Sequence, residues 1–224
     1  MSKKEKSQKK KIIKVLLGIL ITILIIVFAA GGTAVWYVNN KIGKMNQVDI
    51  DESQIGVSDN QNLSRYRNIA IFGIDSRSDD YGEGNRSDCI IVASINNTTH
   101  DIKLISVYRD TYMQVEGHGL DKITHAYSYG GAELAIKTLN ENLDLNIKEF
   151  VTVNFDAVAD AVDALGGIKM PITSAEIKYI NGYIDETARV TGKKSGYITS
   201  PGTHTLNGVQ AVAYSRIRYT SGGD

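Results

Sequence analysis

Residues 68–110 read NIAIFGIDSRSDDYGEGNRSDCIIVASINNTTHDIKLISVYRD, three apolar runs separated by charged, glycine-rich or asparagine-rich breaks. Runs 68–74 and 89–95 have the length and β-branched content of buried strands, and Ile102–Val107 repeats the pattern after the polar NNTTHD break. Three neighbouring strands are the simplest reading. Asp75 and Arg77 follow the first run, Arg86 and Asp88 lead into the second, and Arg109 and Asp110 close the third. If strands two and three form a hairpin, the start of one lies beside the end of the other, so Arg86, Asp88, Arg109 and Asp110 become neighbours. A first strand running parallel to the third adds Asp75 and Arg77. The result is a pocket carrying both signs of charge. Any one of these residues, taken singly, reads as an ordinary solvated strand end. Arginine and carboxylate together at all three ends read as function, because solubility requires charge but not guanidinium and carboxylate as such.

Downstream, strand and helix alternate. Residues 111–115 extend the third strand, and Glu116-Gly117-His118-Gly119 is a turn. The segment LDKITHAYSYGG ends in a glycine pair that opens a helix over 132–143, with Leu134, Ile136, Leu139 and Leu143 on its apolar face. EFVTVNF alternates as a strand, DAVADAVDALGG is a short helix with Asp156 as its N-cap, and KMPI is a strand or edge segment. Residues 174–200, polar and glycine-containing, read as a surface excursion or flap. TLNGVQAVAYSRIRY is a helix with Val209, Val212 and Ala213 toward the core. Arg216 and Arg218 lie two apart, about 200° around a helix, so both can address one ligand only if the helix ends between them. The pattern predicts an α/β domain over 66–224 with helices covering a sheet.

Upstream, the lysine-rich stretch 1–14 precedes 24 uncharged residues, 15–38. They would form a helix of about 36 Å, enough for a hydrocarbon core of about 30 Å. The expectation is an uncleaved transmembrane anchor with the basic tail in the cytoplasm, Trp36 and Tyr37 at the far interface, and everything beyond outside the cell. Residues 39–65 are polar and aperiodic and read as a stalk that includes at most a short helix.

The formal net charge of zero conceals an asymmetry. Seven of the 25 basic residues and one of the 25 acidic ones lie in 1–14, which leaves the rest of the chain with an acidic excess of six. A nucleic-acid partner is therefore disfavoured. Cys89 is the sole cysteine, excluding an intramolecular disulfide, a dithiol redox site and a cysteine-built metal site. Its place in an apolar run predicts a buried small hydrophobe. The four histidines show no metal spacing, and His125 reads as a packing or hydrogen-bonding partner beside Tyr127. Gly130-Gly131 follows no strand and lacks the Lys-Ser/Thr signature of a nucleotide-binding loop.

The ordered motifs FGIDSR, NRSD, SVYRD, DKITHAYSYGG, VDALGGI and LNGVQAVAYSRIRY, behind a single N-terminal apolar segment, resemble the LytR-CpsA-Psr family of Gram-positive cell-envelope proteins over about residues 66–224. Tyr108 stands where that family more often has proline, and Thr124 where asparagine is frequent. Family members continue beyond Asp224 with an arginine-rich helix, so the sequence is expected to be truncated at its C-terminus. The resemblance implies a three-layer α/β/α sandwich with a central mixed sheet and an apolar tunnel for a prenyl chain. It also implies a phosphotransferase that moves a teichoic acid or capsular polysaccharide from an undecaprenyl-pyrophosphate carrier to peptidoglycan through a phosphodiester. By analogy Asp75 and Asp88 ligate Mg²⁺ (or Mn²⁺). Arg77, Arg86, Arg109 and Arg218 hold the phosphates, with Arg216 as a further member of the set, and Asp75, Asp88 and Arg109 form the catalytic group. The chemistry agrees, since guanidinium groups match phosphate oxygens bidentately and a hard cation on carboxylates neutralises a departing phosphate. Asp110 reads as half of a structural ion pair, and the group that takes the acceptor's proton is open. Two other readings stay open as well, a hydrolase using water as acceptor and a non-catalytic membrane regulator of the transcription-attenuator type.

Overall fold

The computed structural model describes residues 47–76 and 81–220, together with Phe28, residues 31–33 and Trp36. Those five upstream residues are helical and exposed and belong to a first unit, Met1–Asp49; the second runs Ile50–Asp224. The expected membrane span, 15–38, otherwise lies outside the described residues. Among the described residues no helix is long and apolar enough to cross a membrane.

The second unit begins earlier than its motifs. Residues 50–65, expected in the stalk, pack onto the domain: Ile55 is fully buried in the main core and Gln61–Arg65 forms a short 3-10 helix. Four strands then build a mixed sheet. They are β1 (Tyr66–Ile74), β2 (Ser87–Asn96), β3 (Ile102–Val107) and, after a hairpin and a helix, the strand Glu149–Val153, in the order β3, β2, β1 and Glu149–Val153. β1–β2 and β2–β3 are antiparallel, as expected for adjacent strands with short connections, whereas Glu149–Val153 returns parallel to β1. β3 departs from expectation. It is an edge strand paired only to β2, and Ile102, Leu104 and Ile105 are exposed instead of buried.

Residues 111–115 do not prolong β3. β4 (Tyr112–Val115) turns back through 116–118 to pair with β5 (Gly119–Lys122) as a separate hairpin. Helix α1 (Ile123–Leu143) follows directly, and its regular geometry breaks at the expected glycine pair. Gly131 has φ +60° and ψ −152°, a conformation open to glycine alone, so the helix restarts at Ala132 in a new direction. The strand already placed, Glu149–Val153, is β6 in chain order. Helix α2 (Phe155–Ala164) is capped by Asn154, whose side chain accepts from the Ala157 N–H, and not by Asp156, which lies inside the first turn.

β7 (Ile168–Ile172) pairs with β8 (Gly202–Leu206) in a second small sheet. Between them 174–200 is largely helix and not a flap: α3 (Ser174–Thr191) starts at a capping box between Thr173 and Glu176 and buries Ile180, Ile184 and Thr187. α4 (Gly208–Ser215), also opened by a capping box at Asn207 and Gln210, buries Val209, Val212 and Ala213 as read from the sequence.

Two apolar clusters result. The first joins Phe72, Ile90, Val92, Met113, Ile123, Tyr127, Ile136 and their neighbours between the four-stranded sheet, the hairpin and α1. The second joins Ile172, Ile180, Ile184, Leu206, Val209 and Ile217. Asn140 fastens the first cluster at its base. Its buried amide donates to the carbonyls of Ile55 (2.8 Å) and Ile147 (3.0 Å) and accepts from the Ile147 N–H (2.8 Å). Asn140→Ala strands three main-chain groups and is expected to cost about 3–5 kcal/mol in urea unfolding.

Candidate active site

The charged cluster arises from a slip in the β1–β2 ladder. Gly73 pairs with Cys89 but the next residue, Ile74, pairs with Ser87, so Asp88 is the extra residue of a β-bulge. Without the slip Asp88 would face Ile74 on the buried side of the sheet, and the bulge instead turns it outward. Cys89, expected buried, is exposed: it alternates with the buried Ile90 on β2 and lies opposite Gly73, which has no side chain to cover it. Partial burial still raises its thiol pKa, which weighs against a reactive thiolate.

Across the other ladder Ile90 pairs with Val107. Continuing that antiparallel register two rungs beyond the strand sets Asp88 against Arg109, and Arg109 Nη1 lies 3.0 Å from Asp88 Oδ1. Arg109 Nε also lies 3.8 Å from Asp110, which is itself paired to Lys122 Nζ at 2.7 Å. The bond to Lys122 is the main cause that holds the Asp110 pKa below its usual value.

Asp75 follows the last residue of β1 and is exposed, so both carboxylates leave neighbouring strand ends. Arg86 precedes Ser87, and its charge reaches the Tyr129 phenol. Arg77 lies outside the described residues. Arg216, at the C-cap of α4, is drawn into the second apolar cluster's surroundings. It pairs with Glu186 (3.0 Å) and lies over the Phe155 and Tyr183 rings at 5.0 and 5.2 Å. Arg218 donates to the Ser215 carbonyl at 3.0 Å. The helix does end at Ser215, before both arginines, and it leaves Arg216 in a supporting position.

Two buried hydroxyls beside the Asp88–Arg109 pair lack hydrogen-bond partners, Ser87 Oγ and Thr124 Oγ1. Thr124 N–H donates to the Arg109 carbonyl at 3.1 Å, so one orphan adjoins each half of the pair. An unsatisfied buried polar group costs about 1–3 kcal/mol and marks a place shaped by something other than stability. The donor set also fits a hard divalent cation. Mg²⁺ is commonly held by one or two carboxylates, with waters and substrate phosphate completing its shell, and Asp88 spends only Oδ1 on Arg109. Among the described residues no group of three or more His, Cys, Asp or Glu forms a protein-only cage.

Residue types alone do not reveal a second cluster. The Asp121 carboxylate accepts from the Lys122 N–H (2.7 Å), the Tyr129 hydroxyl (2.8 Å) and His125 Nδ1 (3.0 Å). These bonds, that of the Lys122 main chain foremost, lower its pKa from 3.8 to about 2. The hydrogen bond to Asp121 raises the Tyr129 pKa. His118 stacks on Tyr129 with ring centroids 3.9 Å apart. His125 therefore partners Asp121 and Tyr129, not Tyr127, which turns inward to the Tyr81 carbonyl. The spacing 121, 125, 129 was the available signal. Because the folded-state pKa of Asp121 is depressed, its contribution to stability is complete above about pH 4 and disappears as pH falls toward 2. The difference in melting temperature between wild type and Asp121→Asn is expected to be constant above about pH 4 and to close near pH 2.

The profile of the LytR_cpsA_psr family matches residues 32–224. The chain belongs to that family. Similar proteins include the polyisoprenyl-teichoic acid–peptidoglycan teichoic acid transferase TagU of Enterococcus faecalis, 31% identical over 216 residues, covering 95% of this chain and 65% of the relative. TagT of Bacillus subtilis, of the same description, is 31% identical over 221 residues, covering 96% and 66%. The chain thus spans just under two thirds of these LytR_cpsA_psr relatives. Among solved structures, TagT bound to LI-WTA superposes with a TM-score of 0.58 at 31% identity, covering 78% of this chain and 64% of the other. The family protein YwtF (TagT) with bound octaprenyl pyrophosphate lipid gives 0.57 at 31% identity, covering 77% and 66%. The mixed sheet with packed helices is therefore the α/β fold of LytR_cpsA_psr structures.

Proposed function

We propose that the protein is a membrane-anchored phosphotransferase that moves a glycopolymer of the teichoic acid or capsular type from an undecaprenyl-pyrophosphate carrier onto peptidoglycan, forming a phosphodiester. The observation that carries this reading is the Asp88–Arg109 pair at the bulged start of β2 and the end of β3, in a chain whose relatives are named as teichoic acid transferases. In this proposal residues 15–38 anchor the chain with 1–14 in the cytoplasm and the domain outside, and the domain adopts a three-layer α/β/α arrangement. Peptidoglycan is the acceptor, and nucleic acid is not a partner.

Arg109 and Arg86, together with Arg77 and Arg218, grip the pyrophosphate oxygens in this reading, and Arg216, paired to Glu186, has a supporting role. Asp75 and Asp88 would hold Mg²⁺ or Mn²⁺, which when bound neutralises charge on the departing phosphate. Were Asp88 engaged by such a cation, the Arg109 fork would be free to bind phosphate oxygens. Phosphoryl transfer then depends on holding the acceptor in line and on compensating charge.

The test is to incubate the protein with Mg²⁺, a short-chain lipid-pyrophosphate saccharide and a peptidoglycan oligomer, and to seek the joined product by mass spectrometry. Product that disappears with EDTA supports the transferase. Lipid phosphate released without joined sugar identifies a hydrolase instead, and tight lipid binding with neither product points to a regulator.

A further inference from the structure

The Asp121–His125 cluster answers a need that the arginines and metal-binding carboxylates leave open. An acceptor hydroxyl must lose a proton as it attacks. The nearby carboxylates are all engaged elsewhere. Asp88 faces Arg109, Asp110 pairs with Lys122, Asp75 is assigned to the cation, and Asp121 accepts three hydrogen bonds.

Asp121 is a pure acceptor when ionised, so the proton of its bond with His125 resides on Nδ1, and in the neutral imidazole Nε2 carries the lone pair. No described residue bonds Nε2. Imidazole is the side chain best suited to take up and release a proton near neutral pH, and a carboxylate behind Nδ1 both selects the tautomer and steadies the imidazolium that forms.

The placement is specific. His125 directly follows Thr124, whose N–H is bonded to the Arg109 carbonyl, and it lies close enough to Asp110, beside Arg109, for an imidazolium at this position to lower the Asp110 pKa. On the other side Tyr129 lies within electrostatic reach of Arg86. The groups that interact with the imidazole are Asp121 from β5, Tyr129 from its own helix and Asp110 from the β3–β4 connection; Lys122 is paired to Asp110 and His118 is stacked on Tyr129.

We infer that His125 is the general base of the transfer and Asp121 its positioning residue; this rests on the phosphotransferase reading of the site. The acceptor oxygen bonds to the phosphorus that carries the glycopolymer. The bond from that phosphorus to the bridging oxygen breaks, and prenyl phosphate departs with the electron pair. The hydroxyl proton passes to Nε2, where the imidazolium is held against Asp121 until water removes the proton.

The experiment compares wild type, His125→Gln, His125→Ala and Asp121→Asn in the joined-product assay, alongside binding of a short-chain prenyl pyrophosphate. Both His125 variants are expected to lose about 10²-fold or more in rate and to bind the prenyl pyrophosphate within about twofold of wild type, since a base acts only in the chemical step. Exogenous imidazoles are expected to restore His125→Ala, more so as their basicity rises. Asp121→Asn is expected to lose on the order of 10²-fold or more, because an amide facing Nδ1 can impose the wrong tautomer. His125→Gln can still donate to Asp121 and so guards against a trivial loss of fold. Activity of either His125 variant within about threefold of wild type overturns the assignment, and so does a loss that imidazole does not repair. A wild type that binds the lipid yet joins no sugar overturns the transferase reading itself, and the inference falls with it.

Discussion

Arg109→Ala is expected to lower the rate of product joining by about 10²–10³-fold, the usual loss when one preorganised donor to a developing anion is removed. The effect is predicted to fall on chemistry and not on folding. The Arg109 and Asp88 side chains are about half exposed, and an exposed ion pair contributes roughly 0–1 kcal/mol, so the melting temperature should scarcely move. Arg109→Lys separates charge from geometry, because lysine keeps the cation but cannot offer a planar two-donor fork. It is expected to recover only part of the loss, about tenfold. Steady-state rates measured by mass spectrometry at saturating lipid, with thermal melts on the same samples, read both quantities. An alanine variant with unaltered turnover would remove Arg109 from the site.

A large structural effect is also expected at Gly208. It opens α4, where its N–H donates to Asp163 Oδ1 at 2.7 Å, and an added Cβ would overlap the main chain of Ala159 in α2. Backbone cannot rotate aside as a side chain can. Gly208→Ala is therefore expected to cost about 3 kcal/mol, a fall of roughly 6–12 °C in melting temperature for a domain of this size. Gly182 is the control. It lies exposed within α3 with nothing near its missing Cβ, so Gly182→Ala should stabilise by about 0.5–1 kcal/mol through helix propensity. Equal melting temperatures for the two variants would show that α4 does not dock on α2 at this position.

Some of the molecule could be read directly from residue order. Apolar runs with β-branched content located β1, β2 and β3, and the short polar break before β3 made a hairpin with β2 the natural pairing. Val209, Val212 and Ala213 gave the buried face of α4, and the pair at 130 and 131 gave the break in α1. Helix α3 was legible too. Thr173 and Glu176 form a capping-box signature before Ile177, Ile180 and Ile184, but the polar composition of 174–200 outweighed it.

Local pattern determined which segments are strands and helices, because alternation and helical spacing are properties of neighbouring residues. It also determined that arginine and aspartate gather at strand ends. Only the tertiary structure decided the exposure of Asp88, since a bulge depends on how two strands meet, and that of Cys89, whose face of β2 lies opposite Gly73 and not against the core. The same holds for β3, an edge strand among the described residues, whose apolar side chains are exposed because little packs on either of its faces. It holds for Arg216, claimed by Glu186 and two rings from other segments. It holds for His125 as well: the sequence placed it four residues after Asp121, but its closeness to Arg109 comes from α1 starting against the end of β3, a packing choice no local pattern contains.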